Sequence, residues 1–271
     1  MPARTPPPHR AVPHPTGRPG LEAITIASGH HFPRHSHDGY GIGVVEFGAQ
    51  RSWSGLGTVE ARPGDVIMVN PGEMHDGAPL GSAVRGWRIL YLDLATMRAE
   101  TGDDLPAAIE IVRPVAGDPA LAALIRRLFC AWHGGESDPL AIEEGVLRAV
   151  MAAALRHGVA AAPEPRASPA VARARARLDA APERRVTLAE LASLAGVSRF
   201  QLLRGFAREV GVTPHAYLVQ RRVGLARRLL AAGRAPAEAA LESGFADQAH
   251  LTRAFRRQFG ITPGRYRAAL G

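Results

Sequence analysis

The chain has 271 residues, of which 46% are hydrophobic and 21% charged, values ordinary for a globular protein and sufficient for two domain-sized cores. No apolar run approaches the length that crosses a bilayer, and the single cysteine, Cys130, excludes an intramolecular disulfide framework. The formal charge of +8 is unevenly divided, with 14 Arg against 18 acidic residues up to residue 165 and 19 Arg against 7 beyond it, which predicts a sensing module followed by an anion-binding module.

The first twenty residues are rich in proline and basic, and they lack the apolar segment of a secretory signal. We expect residues 1–20 to form a disordered leader. A lone cysteine among apolar neighbours fits a reducing compartment, so the sequence predicts a cytoplasmic protein.

Short β-type runs separated by Gly- and Pro-rich turns occupy residues 21–114. The clearest strands are 41–48, 64–70 and 87–94, and the motifs "RPGD" and "NPGE" supply turns between them. Many short strands with frequent turns are typical of a sandwich or a barrel. The sequence therefore predicts a β domain here.

The period of the apolar residues changes after Gly117. Helical spacing predicts amphipathic helices over 119–133 and 139–157, and the composition of 161–169 is that of a linker. We expect a first domain over 21–158, a linker over 159–168 and a helical domain over 169–271.

The stretch "RHSHDGY" (34–40) places two histidines one residue apart. In a strand His35 and His37 point to the same face. Together with His75 in "PGEMH", they could bind zinc or iron, or they could form the polar wall of a small-molecule pocket.

An internal repeat marks the second half. "GVTPHAY" (211–217) recurs as "GITPGRY" (260–266), an offset of 49 that also pairs Leu202 with Leu251 and Phe206 with Phe255. Each copy reads as helix, short Gly-containing turn and helix, which is helix-turn-helix geometry. Ser198 and Asp247 are the predicted N-caps of the second helices.

Helical phase separates a buried face from an exposed basic face on each of these second helices. The exposed faces combine Arg, Gln, Thr and apolar side chains, which suit guanine, adenine and the thymine methyl. Two other readings are a solvated basic surface and non-specific DNA binding. On the connecting helix, four arginines fit phosphate neutralisation: Arg221, Arg222, Arg227 and Arg228.

At this point the second half resembles the AraC/XylS family of bacterial transcription regulators, on "LAELASLAGVSRFQLLRGFAREVGVTP" and "ALESGFADQAHLTRAFRRQFGITPGRYR". The resemblance implies a domain of seven helices with two helix-turn-helix units, and it adds His250 to the base-facing positions. The predicted DNA-binding residues are Arg199, Phe200, Leu203, Arg204, Gln248, Ala249, His250, Thr252 and Arg253.

The first half is similar to the cupin-type effector domains of that family, on "HSHDGYGIGVVEFG" and "RPGDVIMVNPGEMHDG". This implies a jelly roll with two helices behind it, used for dimerisation. Metal-binding cupins carry a Glu that would fall here at Gly41 or Ile42, so Glu73 or Asp38 would have to substitute. We therefore expect no metal and no cofactor, and an effector pocket lined by His35, His37, Tyr40, Trp53, His75 and Trp87.

The predicted fold class is α+β with two domains, a cupin-like jelly roll followed by an all-α domain. The predicted function is that of an effector-responsive, sequence-specific transcription regulator and not an enzyme; activation and repression are both compatible with the sequence. A metal-dependent cupin enzyme, or a metal sensor, fused to a DNA-binding domain is the alternative. The expected partners are double-stranded DNA, a small-molecule effector, a second copy of the chain and RNA polymerase, with no membrane.

Overall fold

The computed structural model describes residues 9–81, 84–101, 105–106, 109–133, 139–160, 167–268 and 270. The chain forms two compact units, which divide between residues 161 and 162. The predicted fold class is confirmed, because the first unit is built on antiparallel β-sheets with helices behind them and the second is helical.

The first unit pairs a six-stranded sheet, in the order β1-β2-β9-β4-β7-β11, with a four-stranded sheet, in the order β3-β8-β5-β6. A short separate pair, β10-β12, joins residues before and after the helices. The strands are β1 His9–His14, β2 Leu21–Ser28, β3 Phe32–His35, β4 Tyr40–Phe47, β5 Gln50–Ser54, β6 Gly57–Ala61, β7 Val66–Val69, β8 His75–Pro79, β9 Arg85–Leu92, β10 Ile109–Ile111, β11 Val115–Ala116 and β12 Gly158–Ala160.

Both faces of the six-stranded sheet are buried. One face packs against α2 (Pro119–His133) and α3 (Pro139–His157), with α1 (Leu94–Thr101) beside them. The other face forms a smaller core between the two sheets, to which β9 contributes Trp87 and Ile89. Alternation along the strand explains this division, because successive side chains of a strand point to opposite faces.

The expected disordered leader is wrong for residues 9–20. Residues His9–His14 form the edge strand β1, which pairs with β2 along its whole length. His14 is buried, and its ring packs on Phe129 with centroids 5.2 Å apart. Proline cannot donate to a sheet, but an edge strand tolerates it because only one side of the strand is paired, so Pro13 is compatible with β1. Residues 1–8 lie outside the described part of the chain.

The expected boundary at residue 158 is also wrong, because β12 continues the first unit to Ala160. Its Gly158–Ala160 backbone pairs with Ile109–Ile111. Most of the expected linker, residues 161–166, lies outside the described residues. The first helix of the second unit begins at Pro169.

Seven helices make up the described part of the second unit. They are α4 Pro169–Ala180, α5 Leu188–Ala195, α6 Arg199–Val210, α7 Pro214–Ala231, α8 Pro236–Glu242, α9 Gln248–Phe259 and α10 Pro263–Ala268. The pairs α5–α6 and α8–α9 are the two helix-turn-helix units, and α7 connects them.

Helix caps and a turn glycine determine the geometry of the two helix-turn-helix units. Ser198 and Asp247 accept hydrogen bonds from the third residue of α6 and α9, as their positions in the sequence predict. The turn of the second helix-turn-helix, between α8 and α9, depends on Gly244. This residue has φ +84°, and a Cβ on it would collide with the carbonyl of Glu183. Only glycine fits there.

Candidate nucleic-acid interface and histidine cluster

Helix α6 divides into a buried and an open face. Leu202 and Phe206 are at most 1% exposed, and they form part of the core of the second unit. On the opposite face, Phe200 is 66% exposed and the Arg204 guanidinium lies 5.4 Å from the centre of its ring. The predicted residues of this helix, Arg199, Phe200, Leu203 and Arg204, are all exposed.

Helix α9 repeats this arrangement with different side chains. Gln248, Ala249 and Arg253 are exposed, whereas Leu251 and Phe255 are fully buried. The two remaining predicted residues of this helix, His250 and Thr252, are only partly exposed.

Those two residues are His250 and Thr252, and each makes an internal contact. The His250 ring packs edge-on against Phe245, with centroids 5.0 Å apart. The Thr252 hydroxyl donates to the Gln248 carbonyl at 2.7 Å. Their polar groups are therefore less available to a partner than those of Gln248 and Arg253.

Two of the four arginines on α7 serve the fold. Arg221 forms an ion pair with Asp179 at 2.9 Å, and the Nε of Arg222 donates to the Pro182 carbonyl at 2.7 Å. Burial lowers the pKa of Arg222, and the nearby Arg185 lowers it further. Both guanidinium groups therefore hold neighbouring elements of this unit, and their contact with phosphate stays a prediction, as it does for Arg227 and Arg228.

In the first unit, strand pairing brings three histidines together. His35 ends β3 and lies directly opposite His75 at the start of β8. His37 follows two residues later, and the three ring centroids lie 4.4–5.1 Å apart. Each ring offers a nitrogen, and these three atoms lie within 4.8 Å of one another. His35 and His37 are buried and His75 is partly exposed.

Two of these rings are held in a defined tautomer. The Nδ1 of His35 lies 2.8 Å from the Pro33 carbonyl, and the Nδ1 of His75 lies 3.1 Å from the Glu73 carbonyl. A carbonyl only accepts, so Nδ1 carries the proton in both. Burial lowers the pKa of His35 to about 3, with a further contribution from His75, and burial also lowers the pKa of His75. Both rings are therefore neutral near pH 7, with a lone pair on Nε2.

Tyr91 fills the place where metal-binding cupins would carry a Glu. Gly41 lies opposite Tyr91 in the sheet, and a Cβ at Gly41 would stand 3.1 Å from Cε1 of the Tyr91 ring. The Tyr91 hydroxyl lies 3.3 Å from the Nε2 of His37. Sequence reasoning missed this residue, although the alternation Trp87, Ile89, Tyr91 along β9 would have placed it on the inner face.

The nearby carboxylates are held elsewhere. Glu73 accepts hydrogen bonds from the backbone and side-chain nitrogens of Asn70, at 3.0 and 2.9 Å. Asp76 accepts from the backbone N–H of Trp53 at 2.7 Å. Among the described residues, the convergent group consists of the three histidines, and neither Glu73 nor Asp38 completes it.

Two predicted pocket residues lie away from the histidines. Tyr40 shares its face of β4 with Ile42, in the core below the helices, and its hydroxyl donates to the Ile109 carbonyl at 2.6 Å. Trp53 lies on the opposite face of β5 from Ser52, under the Arg34 guanidinium at 3.7 Å. Strand alternation turns both side chains away from the space between the sheets, so neither converges with the three histidines.

Trp87 does reach the inner core, where its ring centre lies 6.0 Å from that of Phe32. The Phe32 ring lies 6.3 Å from His35 and so connects the tryptophan with the cluster. Beside them, Arg85 is only 1% exposed and donates to the carbonyls of Ser28 and His30. Sequence reasoning missed Arg85, because a single Arg at a strand start carries no signal of burial.

Comparison with known proteins gives two family models that match this chain. The AraC-like ligand binding domain matches residues 19–150, and a helix-turn-helix domain matches residues 191–269. The uncharacterized HTH-type transcriptional regulator YbfI of Bacillus subtilis is 30% identical over 230 residues, covering 81% of each chain. The chain belongs to the AraC/XylS family of transcription regulators.

More distant relatives agree with this assignment. The regulator MtrA of Neisseria gonorrhoeae is 35% identical over 89 residues, which cover 32% of this chain and 29% of that protein. The solved structure of ToxT from Vibrio cholerae has a TM-score of 0.58 at 10% identity, covering 93% of this chain and 99% of that one, so the two share a fold.

As a member of the AraC/XylS family, the chain is a DNA-binding transcription regulator with a ligand-binding first domain. The two helix-turn-helix units therefore form the nucleic-acid interface of the family, and the sheet region with the histidines belongs to the ligand-binding domain. In the described parts of the chain, no helix combines the length and the apolar character needed to span a bilayer.

Proposed function

We propose that α6 and α9 read base sequence in successive major grooves, and that a small molecule in the first unit controls this binding. The observation that carries the DNA-reading proposal is the exposed ring of Phe200, covered on one side by Arg204. A solvent-exposed aromatic ring contributes little to folding stability. Beside an arginine on a helix face, it can contact a thymine methyl while the guanidinium binds guanine.

The second helix supplies a different set of base contacts. Gln248 and Arg253 are exposed on α9, and their side chains suit adenine and guanine. Ala249 is exposed as well, but it can offer only a methyl group. We assign base reading on this helix to Gln248, Ala249 and Arg253, with His250 and Thr252 supporting the helix surface.

A binding experiment tests sequence reading. Purified full-length protein is titrated by fluorescence anisotropy into its own upstream DNA and into a scrambled duplex, at several salt concentrations. We expect preference for the upstream DNA, and we expect Arg253→Ala to reduce that preference by about 1–3 kcal/mol at one base position. Equal affinity for both duplexes would contradict the proposal, and a variant that weakens both equally would favour non-specific binding.

The effector site proposed for the first unit is the space between the sheets around the histidine cluster. His35, His37, His75 and Trp87 remain the proposed binding residues, now joined by Tyr91. The support is their convergence on one inner face, where neutral imidazoles and aromatic rings suit a small polar ligand. A thermal-shift screen of small metabolites tests this site, because a ligand at 100 times its dissociation constant stabilises by about 2.7 kcal/mol.

Dimerisation through α3 is the third part of the proposal. Three leucines of this helix are exposed, Leu140 at 69%, Leu147 at 37% and Leu155 at 67%. Their spacing places them along one side of the helix, as a partner helix requires. We expect Leu147→Glu with Leu155→Glu to convert a dimer into a monomer in analytical ultracentrifugation, whereas Leu194→Glu, at a leucine 50% exposed on α5, leaves the mass unchanged.

The regulator is expected to act in the cytoplasm, without enzymatic turnover, and to raise transcription with RNA polymerase as a further partner. Transcription from the upstream promoter by RNA polymerase in a purified system tests the direction of regulation. Increased transcript on addition of the protein supports activation, and decreased transcript would make it a repressor.

A further inference from the structure

We propose that His35, His37 and His75 bind one divalent transition-metal ion of the zinc class, and that the ion keeps a fourth position beside the Tyr91 hydroxyl for an external ligand. This inference rests on the effector site proposed above and deepens it, because the histidines then act through the ion and the external ligand is the effector. It does not depend on the proposed reading of DNA by the second unit. The proposal assigns a metal to residues for which sequence analysis expects none.

The geometry of the cluster is the first argument. In a tetrahedral centre with metal–nitrogen distances of 2.0–2.1 Å, the nitrogens lie about 3.3 Å apart. Here the three ring nitrogens lie within 4.8 Å of one another, so small side-chain rotations bring them onto an ion. Two of the histidines face each other in the β3–β8 pairing, so the backbone holds their separation.

The hydrogen bonds of the rings are the second argument. Histidine ligands of metals usually donate the other ring N–H to a carbonyl or a carboxylate, which fixes the ring and leaves the remaining nitrogen to coordinate. His35 and His75 do this through Nδ1, toward the carbonyls of Pro33 and Glu73. The arrangement is already the one that coordination through Nε2 requires.

The donor set selects the class of ion. Three imidazoles suit zinc and its neighbours in the transition series, whereas magnesium and calcium require oxygen ligands. Glu73 is occupied by Asn70, so this carboxylate does not neutralise the ion. Among the described residues no carboxylate belongs to the convergent group, so a bound ion attracts an anionic or oxygen-donor ligand.

Tyr91 distinguishes this site from a centre of three histidines and a carboxylate. Its ring packs over Gly41, and its hydroxyl lies 3.3 Å from the Nε2 of His37. When His37 coordinates an ion, that hydroxyl is left beside the ion, where it can donate to a ligand in the fourth position. Tyr91 is thus a positioning residue for the external ligand.

Metal titration of the full-length protein tests the proposal. Tag-free protein is stripped with a chelator and titrated with Zn²⁺ by calorimetry and with Co²⁺ by visible absorption, with Mg²⁺ as a negative control. We expect one Zn²⁺ per chain and a Co²⁺ spectrum of four-coordinate type. His37→Gln and His75→Gln should each weaken binding at least about 100-fold, more than the loss of an outer-shell partner usually costs.

His31→Gln is the matched control, because His31 is exposed and lies outside the cluster. Its metal affinity should equal that of the wild type. Tyr91→Phe should keep the bound ion and weaken azide binding to the Co²⁺ protein about tenfold, because one hydrogen bond to an anion is lost.

Two results would overturn the proposal. One is that buffer exchange removes all of the added Zn²⁺ from the wild-type protein. The other is unchanged affinity in both His37→Gln and His75→Gln. Tryptophan fluorescence of the stripped variants checks that the first unit is folded. DNA binding measured on the same samples separates a failed metal site from a failed regulator.

Discussion

Asp118 provides the most quantitative prediction, because it joins the start of α2 to the end of α3. Its carboxylate accepts hydrogen bonds from the Leu121 N–H at 3.0 Å, from Arg156 at 3.1 Å and from His157 at 2.9 Å. Burial raises the pKa of this carboxyl, but the three hydrogen bonds outweigh burial and lower the pKa to about 2.

The lowered pKa gives the magnitude. The difference between 3.8 and about 2 corresponds to about 2 kcal/mol of folding free energy. Asp118→Asn removes the charge and keeps an oxygen for Leu121, so we expect the variant to lose about 2 kcal/mol near pH 7. Because the folded-state pKa lies below the unfolded one, this stabilisation is complete above about pH 4 and disappears as the pH falls toward 2.

Urea unfolding followed by tryptophan fluorescence measures the effect. All three tryptophans, Trp53, Trp87 and Trp132, lie in the first unit, so the signal reports the unfolding of that unit. The difference between wild type and Asp118→Asn should be constant from about pH 7 to pH 5 and should shrink below about pH 4.

A control on α3 is Glu144→Gln. Glu144 and Arg148 form a surface pair at 3.3 Å in which both side chains are more than 60% exposed, so its loss should change stability by less than about 0.5 kcal/mol. If Asp118→Asn unfolds at the wild-type urea concentration near pH 7, or if the full difference persists at about pH 2, the assigned role of Asp118 is wrong.

Two further predictions separate functional from structural side chains. Phe200→Ala, at a ring 66% exposed, should change the free energy of unfolding by less than about 1 kcal/mol yet weaken DNA binding, whereas Phe206→Ala, at a fully buried ring, should cost about 3–5 kcal/mol in thermal unfolding followed by circular dichroism. Equal stability of the two variants would contradict the division of α6 into two faces. Arg85→Met leaves the carbonyls of Ser28 and His30 without their donor and should cost about 2–4 kcal/mol by tryptophan fluorescence. Arg51→Met, at a side chain 57% exposed, should cost less than about 1 kcal/mol, and equal effects of the two would show that Arg85 is not a structural donor.

Local patterns in the sequence predicted the helical unit well. The repeat at offset 49, the caps Ser198 and Asp247 and the helical phase of Leu202 and Phe206 are all signals within a few turns of one chain segment. The local conformations that these patterns favour are kept in the folded protein, because the tertiary contacts agree with them.

The β unit was predicted less completely, because both faces of its large sheet are buried. Tyr40 and Gly41 are adjacent in sequence, but the first points to the helices and the second to the inner core. With apolar residues on both faces, the sequence gives no polar face to set the phase of the strand. The edge strand His9–His14 was missed for another reason, since its prolines argue for a leader unless the strand is known to lie at an edge.

The central claim is that α6 and α9 each read bases, and selection from a random DNA library tests it most directly. Wild-type protein should enrich two sequence blocks about one helical turn apart. Arg204→Ala should lose sequence information in one block only, and Arg253→Ala in the other only. No enriched sequence, or the same block altered by both variants, would contradict the claim.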